Sequence, residues 1–207
     1  MGIEALLWLD FRKMAYEEHI QRVERRKAAL KLELDDNLSG NRSIVLEIGC
    51  GHGHWLTDFA ADHPDLYCVG IDVIGDRIDR SNRKAHRAGL SNIRFVRAEA
   101  GEFLELLPKG VTIESVFILF PDPWPKKRHW KNRIMRSDFL DRLAVRCQGF
   151  TRLHFRTDHN GYFDWTMDLA LTLASWRLAP ELEWPFERET VFQARADSFQ
   201  SMTLVKA

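Results

Sequence analysis

Cysteine is scarce in this chain: Cys50, Cys68 and Cys147 are the only three, an odd number set far apart. Neither a disulfide framework nor a zinc-ligand spacing can be built from them, which points to reduced thiols and a cytoplasmic setting. Long apolar runs are also missing. The longest near the start, Leu6-Leu7-Trp8-Leu9, is flanked by Glu4 and Asp10, with no basic stretch before it and no small-residue cleavage site after it. Signal peptide and membrane span are both excluded as readings. Nor is there an excess of either charge: Lys+Arg and Asp+Glu are both 30. Bulk charge therefore offers no argument for a nucleic-acid partner, and only local clustering could.

What is there reads as globular, with 45% hydrophobic and 29% charged residues in a length that suits one domain with a sizeable core. Residues 3–34 hold neither proline nor glycine, and Leu6, Leu9, Tyr16, Ile20, Val23 and Ala28 fall loosely at helical spacing. One long helix or two shorter ones are expected over an N-terminal extension, residues 1–40, broken by D-D-N-L-S-G-N. From residue 43 strands and helices alternate. Strands are expected at about 43–48, 66–72, 92–96, 115–120 and 152–158. Helices are expected at about 54–62, 76–89, 98–107, 136–147 and 161–176. The Phe-, Val- and Thr-rich tail, about 186–206, reads as two final strands in a hairpin. Such alternation predicts an α/β, doubly wound, mostly parallel sheet covered on both faces, closed by a C-terminal antiparallel hairpin. Ligands of such sheets lie at the carboxyl ends of the strands.

Each chemical motif falls at such an end. After strand 1 comes E-I-G-C-G-H-G, with Gly49, Gly51 and Gly53 at alternate positions and Glu47 two residues ahead. A phosphate-binding loop would need a lysine after the last glycine, and a dinucleotide fingerprint a different glycine spacing. An acid at position 47 repels pyrophosphate but suits a ligand carrying positive charge, such as the sulfonium and ammonium of S-adenosylmethionine. Asp72, nineteen residues after Gly53, ends strand 2 where a carboxylate can accept ribose hydroxyls. Glu99 follows strand 3, as an adenine contact or as a helix cap. Strand 4 runs into P-D-P-W-P, Pro121 to Pro125. Its prolines rigidify the loop and push the residues before them toward extended geometry, leaving Asp122 and the flat ring of Trp124 as a platform. Residues 126–136, K-K-R-H-W-K-N-R-I-M-R, then hold six Lys/Arg and no acid. Charge runs on solvated faces usually mix signs, so this one points to RNA or DNA phosphates. Thr157-Asp158-His159 ends strand 5. His52, His54 and His159 lack metal-ligand spacing, so no metal is expected.

Taken together, these motifs resemble the tRNA (guanine-N7)-methyltransferase family over about residues 44–168. The features that carry the resemblance are L-E-I-G-C-G-H-G, F-P-D-P-W-P-K-K-R-H, Arg133-Ile134 and T-D-H-x-x-Y. The resemblance implies a Rossmann-like methyltransferase domain over 41–207, with S-adenosylmethionine as cofactor and tRNA as substrate. It implies cofactor contacts from Glu47, Gly49, Gly51, Gly53, Asp72, Glu99 and Asp122, the last also as catalytic residue. It implies substrate contacts from Lys126, Arg128, Arg133, Asp158, Thr190 and Gln193. The chain departs from the family's pattern at three places. Asp72 and Glu99 exchange Glu and Asp, Gln193 stands where a glutamate is usual, and the double glycine before strand 5 is absent. Two other readings compete: an amino-group methyltransferase, whose motif also ends strand 4, and an RNA-binding relative that has lost catalysis. Monomer and homodimer are both compatible with the sequence.

Overall fold

The structure, a computed structural model, describes residues 3–40, 42–188, 193 and 196–207, with side chains from Lys13 onward apart from Ala15. The N-terminal stretch is a single helix, α1 (Ile3–Asn37), rather than two. Its last third docks through Leu30, Leu34 and the following Leu38, all buried. Strand β1 (Arg42–Ile48) then leads into α2 (His54–Asp62), β2 (Cys68–Asp72), α3 (Gly75–Arg87), β3 (Ile93–Arg97), α4 (Ala100–Leu106) and β4 (Val111–Leu119). After a 3-10 turn over Lys127–Asn132 come α5 (Ser137–Arg146), β5 (Cys147–Thr157), α6 (Asn160–Ala170), β6 (Trp176–Leu178) and β7 (Gln200–Lys206).

The seven strands lie in the order β3-β2-β1-β4-β5-β7-β6, all neighbouring pairs from β3 to β5 parallel and β7 antiparallel to both β5 and β6. Residues alternate between two apolar layers. Ile44, Leu46, Val116, Ile118, Leu153 and Phe155 face a core closed by α1, α4, α5 and α6. Val45, Phe95 and Phe117 face a second core made with α2 and α3. Burying a large side chain in either layer stabilises the fold by about 2–3 kcal/mol. Helices on both faces place the reversal of strand order between β1 and β4, and so the crevice above their carboxyl ends.

Three boundaries differ from expectation. The helix read over 161–176 stops at Ala170, and Trp176 belongs to a strand: its indole is buried and donates to the Leu140 carbonyl at 2.9 Å. The C-terminal antiparallel pair among the described residues is β6 with β7; part of the 186–206 stretch read as two strands lies outside the described residues. Strands β4 and β5 begin earlier than expected, at Val111 and Cys147. Their pairing shifts register between Ile113 and Ser115, next to Phe150 with its left-handed backbone (φ 66°). Among the described residues no helix is long and apolar enough to cross a membrane.

Candidate active site

The glycine turn is fastened to β2. The amides of Gly49 and Cys50 both donate to the Ile71 carbonyl (2.8 and 3.0 Å), and the Gly51 amide donates to Asp72 Oδ2 at 3.1 Å. All three glycines have left-handed backbone, with φ of 77°, 56° and 63°, which residues bearing a Cβ adopt at a cost. They are not equivalent, however. A Cβ on Gly53 would meet the Phe95 ring at 2.5 Å, so Gly53 serves close packing of α2 on the sheet. A Cβ on Gly49 or Gly51 would have nothing within 4 Å, so these two face open space in which backbone and ligand can meet.

Glu47 is the electrostatic anomaly of the crevice. Its side chain is only 4% exposed, and its Oε2 has no hydrogen-bond partner. Burial, and then the nearby Asp72 carboxylate, push its pKa up to about 8. An orphaned buried carboxyl group costs stability unless a ligand completes it, and a cation is the ligand that would. Asp72 is 7% exposed and accepts from the Ile74 amide through Oδ1 (2.9 Å) and from Gly51 through Oδ2. Arg77 Nη1 stands 3.5 Å from Oδ2. Each Asp72 oxygen keeps a free lone pair for a hydroxyl. Glu99 is exposed and caps α4, its Oε2 accepting from the Glu102 amide at 3.0 Å. That engages one of its two oxygens.

The P-D-P-W-P loop holds a strained backbone. Phe120 and Trp124, each directly before a proline, have φ of 50° and 45°, not the extended geometry expected of them. Tertiary bonds override the local preference. The Phe120 amide donates to the Arg156 carbonyl at 2.8 Å, and the Pro123 carbonyl accepts from Arg133 Nε at 2.9 Å. Strain of this kind concentrates where surroundings over-determine a functional loop. Between the two positions Asp122 is exposed, and Trp124 meets the His129 ring edge-on at 5.8 Å.

Arg133 is placed differently from the other cations of the run. It is 2% exposed, and its guanidinium lies over the rings of Trp130 (4.5 Å), Tyr162 (4.6 Å) and Trp165 (4.9 Å). Caged in this way, and bonded to the Pro123 carbonyl, the guanidinium braces the loop. Arg136 is engaged too, with Asp138 and the Lys131 carbonyl. Lys126, Lys127, Arg128 and Lys131 remain exposed on and beside the 3-10 turn. Asp158 is exposed at the end of β5, while His159 caps α6 through Nδ1, accepting from the Tyr162 amide at 3.0 Å. Thr190 lies outside the described residues. Gln193 accepts from Arg156 Nη1 at 3.2 Å. No group of three or more His, Cys, Asp or Glu able to hold a metal ion occurs among the described residues.

Strand order turns these separate motifs into one site. Because β3, β2, β1, β4 and β5 are neighbours and parallel, Glu99, Asp72, Glu47, Asp122 and Asp158 line one edge of the sheet in that order. A glycine turn and buried acid adjoin an aromatic and acidic platform with four exposed cations behind it. Sequence reasoning missed Arg156, Trp184 and Glu187, which join β5 to the chain beyond β6. A signal was available: R-L-H-F-R places Arg152, His154 and Arg156 on one face of a strand, a polar row that needs partners.

Comparison with known proteins agrees with this geometry. A family model described as "Putative methyltransferase" matches residues 41–198. A tRNA (guanine-N(7)-)-methyltransferase of Levilactobacillus brevis is 30% identical over 150 residues, covering 72% of this chain and 69% of the relative. The chain belongs to the tRNA (guanine-N7)-methyltransferase family. Another member, from Thermus thermophilus, is 36% identical over 138 residues, which are 67% of this chain but 44% of that protein. The chain thus spans about half the length of several family relatives that it matches. The fold is shared more widely. A 16S rRNA adenine methyltransferase from Catenulisporales acidiphilia, solved with its cosubstrate SAM, superposes with a TM-score of 0.56 at 17% identity, covering 88% of this chain and 91% of that one.

Proposed function

We propose that this protein transfers a methyl group from S-adenosylmethionine to N7 of a guanine in tRNA. One observation carries the reading: at the end of β1 the buried, unpartnered Glu47 precedes the open turn of Gly49 and Gly51, and the neighbouring strand β4 ends at Asp122 and a run of exposed cations. Glu47 would hold the ammonium end of the cofactor, Asp72 the ribose and Glu99 the adenine edge. When bound, S-adenosylmethionine supplies an electrophilic methyl group on a positively charged sulfur.

The protein's own task is alignment. N7 of guanine has an in-plane lone pair and needs no base; the N7–C bond forms as the S–C bond breaks, and no proton moves. Holding nucleophile, methyl and leaving group in line accounts for most of the rate gain such a site can supply. Positive charge passes from sulfur to the guanine ring, so a carboxylate beside the ring stabilises the transition state more than the reactants. Asp122 fills that place, and Asp122 with Asp158 can accept guanine's N–H donors, which adenine's Watson–Crick edge presents differently. Lys126 and Arg128 would hold phosphates, and Thr190 and Gln193 would contact the substrate. The residues 41–207 carry this chemistry, the extension 1–40 flanks it, and the cytoplasm is the compartment the substrate requires. RNA in which guanine is replaced by 7-deazaguanine tests the reading: it should accept no methyl, and methylation of that RNA at the wild-type rate would refute N7 as the acceptor.

A further inference from the structure

Arg156 is buried, at 3% exposure, yet it carries a full charge. Four of its N–H donors are placed. Nη1 and Nη2 grip the two oxygens of Glu187 at 3.1 and 2.8 Å, Nη1 also reaches Gln193 Oε1 at 3.2 Å, and Nε donates to Ser201 Oγ at 2.8 Å. The guanidinium lies 4.0 Å above the Trp184 ring and 4.6 Å above that of Phe199, which in turn meets Phe120 edge-on at 6.1 Å. Its backbone carbonyl accepts from the Phe120 amide. One residue therefore ties together β5, β7, the chain around 184–193 and the start of the loop that carries Asp122. It also stands two positions before Asp158.

We propose that Arg156 is a positioning residue that latches the chain around Glu187 and Gln193 against the substrate side of the site, and that Glu187 supplies the latch's single carboxylate. This inference rests on the function proposed above. A buried guanidinium needs one countercharge and further neutral acceptors. Glu187 provides the first in bidentate geometry, and the amide oxygen of Gln193 is a neutral acceptor on the same Nη1. A glutamate at position 193 would bring a second carboxylate to a charge already neutralised. In this chain the countercharge therefore comes from Glu187, and Gln193 adds a neutral acceptor.

The test moves the charge back. Glu187→Gln changes a side chain that is 60% exposed and keeps its size and one amide oxygen, whereas Arg156→Lys alters a buried group; the thermal midpoint of the variant is measured alongside. Glu187→Gln is expected to raise KM for tRNA about tenfold with kcat changed less than about twofold, and to leave the Kd for S-adenosylmethionine unaltered. The double variant Glu187→Gln/Gln193→Glu restores the carboxylate to Arg156 and should recover most of the lost affinity. Hydrogen exchange of the peptide spanning 184–193 should quicken in the single variant and slow again in the double one, independently of any activity. An unchanged KM in Glu187→Gln, or a double variant no better than the single, would overturn the latch. If the wild-type protein methylates no tRNA, the proposed function fails, and the hydrogen-exchange pattern still decides the latch.

Discussion

The Nε–H of Arg133 donates to the carbonyl oxygen of Pro123 at 2.9 Å, one residue from the exposed Asp122 carboxylate. The bracing of this arginine comes from two elements, Trp130 on the 3-10 turn and Tyr162 and Trp165 on α6. Tyr162 in turn accepts from the Met135 amide at 3.1 Å, which fixes the chain on the other side. The loop that carries Asp122 is thereby held to a packed helix rather than left to its prolines.

Lysine keeps the charge but cannot stack its ammonium flat between three rings while reaching Pro123. Arg133→Lys is therefore expected to lower kcat about 10- to 100-fold, the cost of a displacement of about 1 Å at the reacting centre. Its S-adenosylmethionine affinity should stay near wild type, as should the salt dependence of RNA binding. A fall in the salt slope by about one unit would return Arg133 to the role of a phosphate contact.

With Glu47 as the proposed ammonium contact, cofactor binding should depend on pH. Its pKa rises from the ordinary 4.5 to about 8 in the folded protein, so between those values the native state holds a proton that the unfolded chain has released. Stability attributable to this group falls as pH rises through that window and levels off above about 8. A bound cation favours the carboxylate and expels the proton. Affinity for S-adenosylmethionine should accordingly rise with pH up to about 8. Calorimetry at pH 7 in buffers of different ionisation enthalpy should show about one proton released per cofactor bound. Glu47→Gln should abolish the release and weaken binding about tenfold or more.

The salt dependence of RNA binding follows from which cations are free. Lys126, Lys127, Arg128 and Lys131 are exposed, whereas Arg133 is caged and Arg136 is held by Asp138. Four phosphate contacts predict a slope of log K against log salt of about −3 to −4. Removing Lys126 and Arg128 together should lower its magnitude by roughly half. A slope near −5 would bring all six cations of the run into play.

Asp122 is exposed and can be replaced without disturbing a core. Asp122→Ala is expected to reduce methyl transfer at least about 100-fold with the thermal midpoint little changed. Asp122→Asn, which keeps an acceptor but not the charge, should fall between. Near-normal turnover by the alanine variant would remove Asp122 from the mechanism.

Much of this was legible in the chain. The apolar runs of β1, β2 and β4 lead into Gly49, Asp72 and the loop with Asp122, at the carboxyl ends where parallel strands meet their ligands. Local spacing therefore located Glu47, Asp72 and Asp122 together. What escaped depends on residues distant in sequence. Trp176 reads as the end of an amphipathic helix until Leu140 supplies a buried acceptor. Arg133 reads as one more cation until α6 closes the aromatic cage. Arg156 and Glu187 are paired across 31 positions, a distance that no periodicity reports.

The central claim, that the glycine turn holds a methyl donor whose acceptor is guanine N7, meets its most direct test in one measurement. The protein is incubated with methyl-labelled S-adenosylmethionine and bulk tRNA, and the RNA is digested to nucleosides. The label should appear in 7-methylguanosine and should be lost in the Asp122→Ala variant. Label in another nucleoside, or none in RNA from the wild-type protein, would contradict the account.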